Sequence, residues 1–377
     1  MEIISGTTFF KGDSHVKKRL LVILAIVVIL SGLVYTRYIF TKDTEEIKIP
    51  VIHLVEERRT PLFIPHYVAL NLGFFTEQNI DVQCSTVQEG EDALQLLSEN
   101  RADVILAGPG QAILTGPPRE TNNPVAFAEV TKRDGAFIMV REDKSNFQWT
   151  DVKRRTIITG PATEDTSLVL EYILRQHKIS PNWEVNVIEN LPPSLRPGTF
   201  MSGTGSFLVV EEPEAGRLER QGIGKVVASL GQEANSMPAS TYMANPSYLD
   251  SNSQDVQKLV NGLYKAQQWI KYHTPDEIAA AVKKSFPGYD STELVQIIKR
   301  YQQTDLWSLK PIIIKNSYEN LYQAVKNSGE LVNNVSYSKA VTNRYAKKAV
   351  KDIHYVPEDK QKPKPGLNWQ YIKSLFN

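Results

Sequence analysis

The sequence predicts an α/β protein of two lobes, preceded by one N-terminal transmembrane helix. Three observations carry that expectation. A charge-free apolar run lies near the N-terminus, strands and helices alternate over Ile47–Ala107, and a second alternation of the same kind begins at Arg155. A chain of 377 residues is longer than one small core requires and suits two domains. Its formal net charge of +1 gives no electrostatic reason to expect a nucleic-acid partner. Cys84 is the only cysteine, so no intramolecular disulfide and no cysteine-rich metal site can form. The fold has to be held by burial.

Leu20 to Thr36 (LLVILAIVVILSGLVYT) carries no charge. Continued to Phe40 with only Arg37 interrupting, it reaches the roughly 20 residues that cross a bilayer core. Lys17, Lys18 and Arg19 precede it, so the positive-inside rule makes residues 1–19 a cytoplasmic tail and 20–40 a signal-anchor in the lipid bilayer. A cleaved signal peptide would end on small residues, and Val34 to Tyr38 offers none. A lipoprotein signal would place a cysteine just past the run, whereas Cys84 is far downstream. The run is apolar all round and has no amphipathic stripe, unlike a core helix. The expected location is the cell membrane, single-pass, with the folded part on the extracytoplasmic side.

Ile47–Leu54 alternates as a first strand, and Pro61–Phe75 forms a helix with Gly73 near its end. Ile80–Cys84 is a second strand, Glu89–Asn100 a helix with Ala93, Leu94, Leu96 and Leu97 inward, and Ala102–Ala107 a third strand closed by Gly108-Pro109-Gly110. This is the βαβ grammar of a mainly parallel sheet covered by helices. Val125–Val130 and Ala136–Val140 add strands, and the Lys132–Gly135 turn between them suits a hairpin or a crossing between lobes. After a polar connection at Trp149–Arg155, the second unit has strands at Arg155–Thr159, Trp183–Ile188, Phe207–Val210 and Gly224–Leu230. It has an amphipathic helix at Ser167–His177 that Asp165 or Thr166 would cap. Helices at Val256–Tyr272, Pro275–Ser285, Ser291–Gln302 and Ser317–Asn327 are expected to wrap back onto the first lobe. That places the first lobe at 47–140 with 245–330 and the second at 141–244. Residues 352–377, with Pro357, Pro363 and Pro365 among lysines, make an extended tail.

These segments resemble a known family. Pro65–Val82 (PHYVALNLGFFTEQNIDV) is similar to the opening of nitrate/sulfonate/taurine- and thiamine-pyrimidine-type ABC-transporter substrate-binding proteins. There a helix ending in Gly-Phe-Phe leads into a polar turn and a second strand. Ala93–Gly108, Trp149–Ile179 and the Val209–Pro213 strand ending in Glu-Pro continue the likeness in order. One stretch departs: Pro197–Ser206 (PGTFMSGTGS) stands where the family has a helix and a Gly-x-x-Asp-Ala step. The resemblance implies a type II periplasmic-binding fold, with two lobes closing on a small-molecule ligand, and an ABC permease in the membrane as partner.

Ligands of such sheets sit beyond the carboxyl ends of the strands, and four loops qualify. Arg58 and Arg59 are candidate anion partners and Thr60 a hydroxyl donor; exposed, solvated arginines are the plain alternative. Gly108, Pro109 and Gly110 allow close backbone approach, or form an ordinary turn. Thr163, Thr166 and Ser167 precede or open a helix whose amides suit an oxyanion, or merely cap it. Glu211 and Glu212 end a buried strand and suit an amine or amidine. Phe63, Tyr67 and Phe207 could stack on a ring or belong to the core. The arginines favour nitrate, sulfonate or carboxylate. Glu164, Asp165, Glu211 and Glu212 favour an aminopyrimidine or other amino-bearing molecule. The charges leave both open.

An enzyme is not expected. The iron motif of the thiamine-pyrimidine-synthesising branch needs cysteines that are absent, no hydrolase, phosphate-loop or dinucleotide motif occurs, and the six histidines lack metal-ligand spacing. No cofactor and no metal are expected. The alternative class is a membrane-anchored ligand sensor. Its Met1–His15 tail is too short for a kinase or cyclase and would require a signalling partner.

Overall fold

The computed structural model describes residues 22–32, 49–88, 91–115, 123–141, 146–329, 331 and 334–357. They fall into two units, Met1–Ile49 and Pro50–Asn377. In the first, residues 22–32 form helix α1, exposed throughout. Among the described residues no helix is long and apolar enough to cross a membrane. The rest of the span expected at 20–40, the tail at 1–19 and residues 358–377 of the expected tail lie outside the described residues.

The second unit opens with β1 (Val51–Glu56), where Ile52 and Leu54 are buried on either side of exposed His53 and the strand ends in the buried Val55 and Glu56. Helix α2 (Ile64–Asn71), β2 (Asp81–Thr86), α3 (Ala93–Ser98), β3 (Val104–Ala107), α4 (Pro109–Thr115) and β4 (Val125–Thr131) follow. The chain then forms β5 (Phe137–Val140), β6 (Thr156–Ile158), α5 (Asp165–Gln176), β7 (Asn186–Ile188), α6 (Arg196–Met201), β8 (Phe207–Val210), α7 (Glu214–Arg220), β9 (Lys225–Ser229) and α8 (Leu230–Glu233). It returns through β10 (Ser240–Ala244) to α9 (Pro246–Ser251), α10 (Ser253–Tyr272), α11 (Pro275–Val282), α12 (Ser291–Gln303), α13 (Lys315–Asn327), α14 (Tyr337–Ala340) and α15 (Arg344–Asp352).

Two five-stranded sheets result, in the orders β2-β1-β3-β10-β4 and β7-β6-β8-β5-β9. β1 pairs parallel with β2 and β3, and β6 with β7 and β8. The strands that run against their neighbours are β10 and β5, each the first strand after the chain changes sheet. The two crossings run side by side: the amides of Met237 and Ala239 donate to the carbonyls of Lys132 and Thr131 at 2.9 and 3.0 Å, and the Leu230 amide to Ala136 at 3.0 Å.

Strand pairing moves the lobe boundaries expected at 140 and 244 by one strand at each crossing. β5 belongs to the second sheet and β10 to the first, because each strand of a crossing pair joins the sheet it enters. The helices α10 and α11 do return to the first lobe, against α2. Helix α13 differs: it packs on α5 of the second lobe and on α4 of the first. The resemblance's departing stretch Pro197–Ser206 does contain a helix, α6, which begins at Arg196. Trp183, expected in a strand, stands in a turn and is 92% exposed. The tail expected from Asp352 begins as the last residue of α15.

Helix α8 sits tightly on the first crossing because Gly231 has no side chain. A Cβ there would lie 2.2 Å from the Asp134 carbonyl oxygen. Gly231→Ala is therefore expected to lower stability by about 1–3 kcal/mol in urea unfolding. Gly198→Ala, with nothing within 4 Å of the added carbon, should be neutral or slightly stabilising, as alanine is in an exposed helix.

Candidate ligand cleft

The loops after β1 and β3 of one sheet meet the loops after β6 and β8 of the other. From the first lobe, Arg58 reaches across to Glu211 and grips it as a fork: Nη1 donates to Oε2 at 2.7 Å and Nη2 to Oε1 at 2.9 Å. Glu57 lies on the same loop, 3.8 Å from Arg58 Nε, and accepts the Gly108 amide at 3.2 Å. From the second lobe, the first residue of α5, Asp165, enters the bend at the start of α4 and accepts the Gly110 amide at 3.3 Å. A Cβ on Gly108 or Gly110 would lie 1.9 or 2.3 Å from the Asp165 carboxylate, so only glycine admits it. Thr166 donates to Asp134 Oδ2 at 2.9 Å, and Asp134 Oδ1 accepts the Ala136 amide at 2.8 Å. Asp134 thus ties the crossing to α5.

Four carboxylates and one guanidinium converge here. Burial raises the Asp165 carboxyl to about 7, with Glu57 adding repulsion. Asp134 rises to about 6 through burial and then Glu211. Burial also raises Glu57, against the pull of Arg58. Asp165, Asp134 and Glu57 are each held where the ionised form is disfavoured, and a positive group between the lobes relieves all three.

Of the residues expected at the site, Arg58, Gly108, Gly110, Thr166 and Glu211 are brought together. Arg59 turns back to Glu56, Nε to Oε1 at 3.0 Å, where Thr86 and the Tyr67 hydroxyl also donate. Thr60 caps the turn at Pro61–Phe63 by accepting the Leu62 amide. Thr163 offers only its carbonyl, to Gln111 at 3.4 Å. Ser167 is buried and donates to the Gly160 carbonyl at 2.9 Å. Pro109 lines a separate apolar cavity with Ile113, Met243 and Tyr318. Glu212 turns away from Glu211: it pairs with Arg300 at 2.8 Å and accepts the Gly216 amide at 3.0 Å. Phe63, Tyr67 and Phe207 are core. Glu164 pairs within its own lobe with Arg196, at 2.9 Å. Asp165 is not the cap of α5, since Glu164 occupies that position. Asp165, expected among the charges that favour an amino-bearing ligand, is brought into the cleft, and Glu57 and Asp134 join it without a signal in the sequence.

This is the two-lobed periplasmic-binding fold, with its cleft between the carboxyl ends of two mostly parallel sheets. The chain belongs to the NMT1/THI5-like family, whose model matches residues 60–278. It is 30% identical over 321 residues to YtlA of Bacillus subtilis (strain 168), named only as a binding protein; the match spans 85% of this chain and 96% of that one. Its fold is similar to the periplasmic aliphatic sulphonate-binding protein SsuA of Escherichia coli (TM-score 0.62, 15% identity, 77% of this chain and 97% of that one). It is also similar to the ligand-binding component of an ABC-type import system from Staphylococcus aureus (TM-score 0.61, 17% identity, 80% and 99%). The desulfurization enzyme DszB shares the fold as well (TM-score 0.58, 14% identity, 80% and 99%).

The two neighbouring glutamates should separate in a stability measurement. Glu212 is 3% exposed beside Arg300 and accepts the Gly216 amide, and Glu212→Ala is expected to cost about 1–3 kcal/mol through those lost buried bonds, with Arg300 keeping its pair to Glu219. Glu211→Ala breaks a pair whose arginine is 49% exposed, and should cost under about 1 kcal/mol. A second measurement tests the raised carboxyls. The folded chain holds the Asp165 proton more tightly than the unfolded chain, whose aspartate has the ordinary value of 3.8. Folding therefore loses stability as pH rises from the unfolded value through about 7. Asp165→Asn escapes that loss, so its Tm should gain on the wild type as pH rises from about 4 through about 7. A gap that narrows over that window would contradict the assignment.

Proposed function

We propose that this chain is the extracytoplasmic solute-binding component of an ABC importer, and that it captures between its lobes a small molecule recognised through nitrogen rather than through an oxyanion. Family membership and the fold likeness to import-system and sulphonate-binding proteins support the transport role. One observation carries the choice of ligand: the features that would hold an anion are already filled by the chain's own carboxylates. Arg58 is gripped by Glu211, and the Gly110 amide is taken by Asp165. Of the nitrate, sulfonate, taurine and pyrimidine types expected from the sequence, the amino-bearing pyrimidine type fits best.

The same reading makes the chain a binder and not an enzyme. The likeness to DszB is one of fold. Cys84 sits beside the Glu56 network, and burial followed by Glu56 pushes its thiol up to about 12, far from the thiolate that nucleophilic chemistry uses. The apolar run at 20–40 with Lys17, Lys18 and Arg19 before it supports a single-pass anchor that holds the clamp beside its permease.

The test is to purify the full chain from membranes in mild detergent and to identify what comes with it. An ABC permease is the expected companion. The same preparation, melted against aminopyrimidines, nitrate, taurine and alkanesulfonates, should gain about 2.7 kcal/mol at a hundredfold excess of a bound solute over its Kd. A preparation that carries no permease and is stabilised by no solute would remove the proposal.

A further inference from the structure

We infer that Arg58 is a built-in occupant of the cleft: its guanidinium stands where the planar cationic group of a ligand binds Glu211, so the solutes of this site are small organic cations of the amidine or guanidine kind. This rests on the solute-binding reading and narrows it.

The geometry of the pair is the first reason. Two parallel N–H···O bonds of 2.7 and 2.9 Å show that the Glu211 carboxylate presents both oxygens, edge on, to a flat donor with two nitrogens. Amidines and guanidines have that shape, and a primary ammonium does not. The second reason is the difference in exposure. The Arg58 side chain is 49% exposed and that of Glu211 is 19% exposed. Arg58 can swing into solvent on a flexible stem, whereas Glu211 is fixed at the end of β8.

The surrounding charges decide which partner is replaceable. An anion displacing Glu211 from Arg58 would still face Asp134, which is buried and fastened by the Ala136 amide and by Thr166. It would also face Glu57 and Asp165. A cation displacing Arg58 takes over the Glu211 carboxylate, with Glu57 and the Tyr301 hydroxyl nearby. A metal ion is a poor candidate for that charge, because among the described residues no three His, Cys, Asp or Glu side chains, these carboxylates included, are spaced to ligate one.

The experiment uses the full chain in detergent micelles, titrated calorimetrically with benzamidine, methylguanidine and agmatine, and separately with methanesulfonate and nitrate. The wild type should bind at least one of the cations and neither anion. Arg58→Gln should bind that cation about tenfold more tightly, because the internal competitor no longer holds the competent state down. Glu211→Gln should bind it at least about tenfold more weakly, because one charged acceptor is lost. Should Glu211→Gln fail to fold, the Arg58→Gln arm decides alone. The inference is overturned if Arg58→Gln weakens cation binding, which would make Arg58 a ligand contact. It is equally overturned if folded Arg58→Gln binds none of the three cations, or if the wild type takes the sulfonate or nitrate instead. Sulfonate binding would remove the choice of a nitrogen-bearing ligand together with this inference but leave the transport role standing, and that role fails only with the loss of both permease and solute.

Discussion

The backbone pairing between the two crossings is the constraint from which the rest of the second unit follows. Thr131 and Lys132 are bonded to Ala239 and Met237, so the chain leaves one sheet and re-enters it along the same line. Each crossing then delivers a strand against the direction of its new neighbours, which is why β5 and β10 are the antiparallel members of otherwise parallel-running sheets. With the sheets joined in this way, the loops that follow β1 and β3 confront those that follow β6 and β8. Residues distant in sequence, Arg58 and Glu211 among them, meet as a consequence of topology.

Electrostatics at that meeting point follows from the backbone around it. Gly108 and Gly110 leave room for Asp165 at the start of α4, and the amide there supplies the partial positive charge that the carboxylate accepts. Asp134 is satisfied by a backbone amide and a hydroxyl, not by a cation. The cleft is therefore acidic by construction. Its single guanidinium is the most solvent-exposed member of the charged pair that bridges the lobes, and this makes it the member that yields.

Much of the fold was legible in the sequence because burial leaves a periodic trace. β8 was delimited correctly as Phe207–Val210, a run of four buried apolar residues, and the long amphipathic helices α10 and α12 were found within a few residues of their ends. β10 left no such trace, since Ser240 and Thr241 are polar although buried. Helix α4 was hidden by Gly108-Pro109-Gly110, which locally suits a turn. For the site, position after a strand found Arg58, Gly108, Gly110 and Glu211 but could not tell Glu211 from Glu212. Strand alternation sends such neighbours to opposite sides, and only the register shows which one faces Arg58. Asp134 left no signal because a crossing turn shows only its shape in sequence, and Asp165 was legible as a charge near the ligand but not as a partner of the other lobe, because a carboxylate at a helix start ordinarily caps its own helix. Here it serves the helix of the other lobe.

The contacts between the lobes are unequal in kind. On one flank α13 joins the second lobe through apolar packing, with Tyr318, Leu321 and Val325 in one buried cluster with Leu168, Val169 and Ile173. Separating that flank would return apolar surface to water at about 25 cal/mol for each Å². On the other flank the buried Phe137 and Tyr301 rings stack and Glu212 pairs with Arg300, α7 adds ion pairs to α12, Arg217 and Arg220 with Glu293 at 3.2 and 2.9 Å, and the mouth is held by Arg58 and Glu211. Partly exposed pairs of this kind exchange their partners for water at little net cost, typically under about 1 kcal/mol each. The lobes are thus joined by buried apolar packing on both flanks, with partly exposed ion pairs added on one of them and at the mouth.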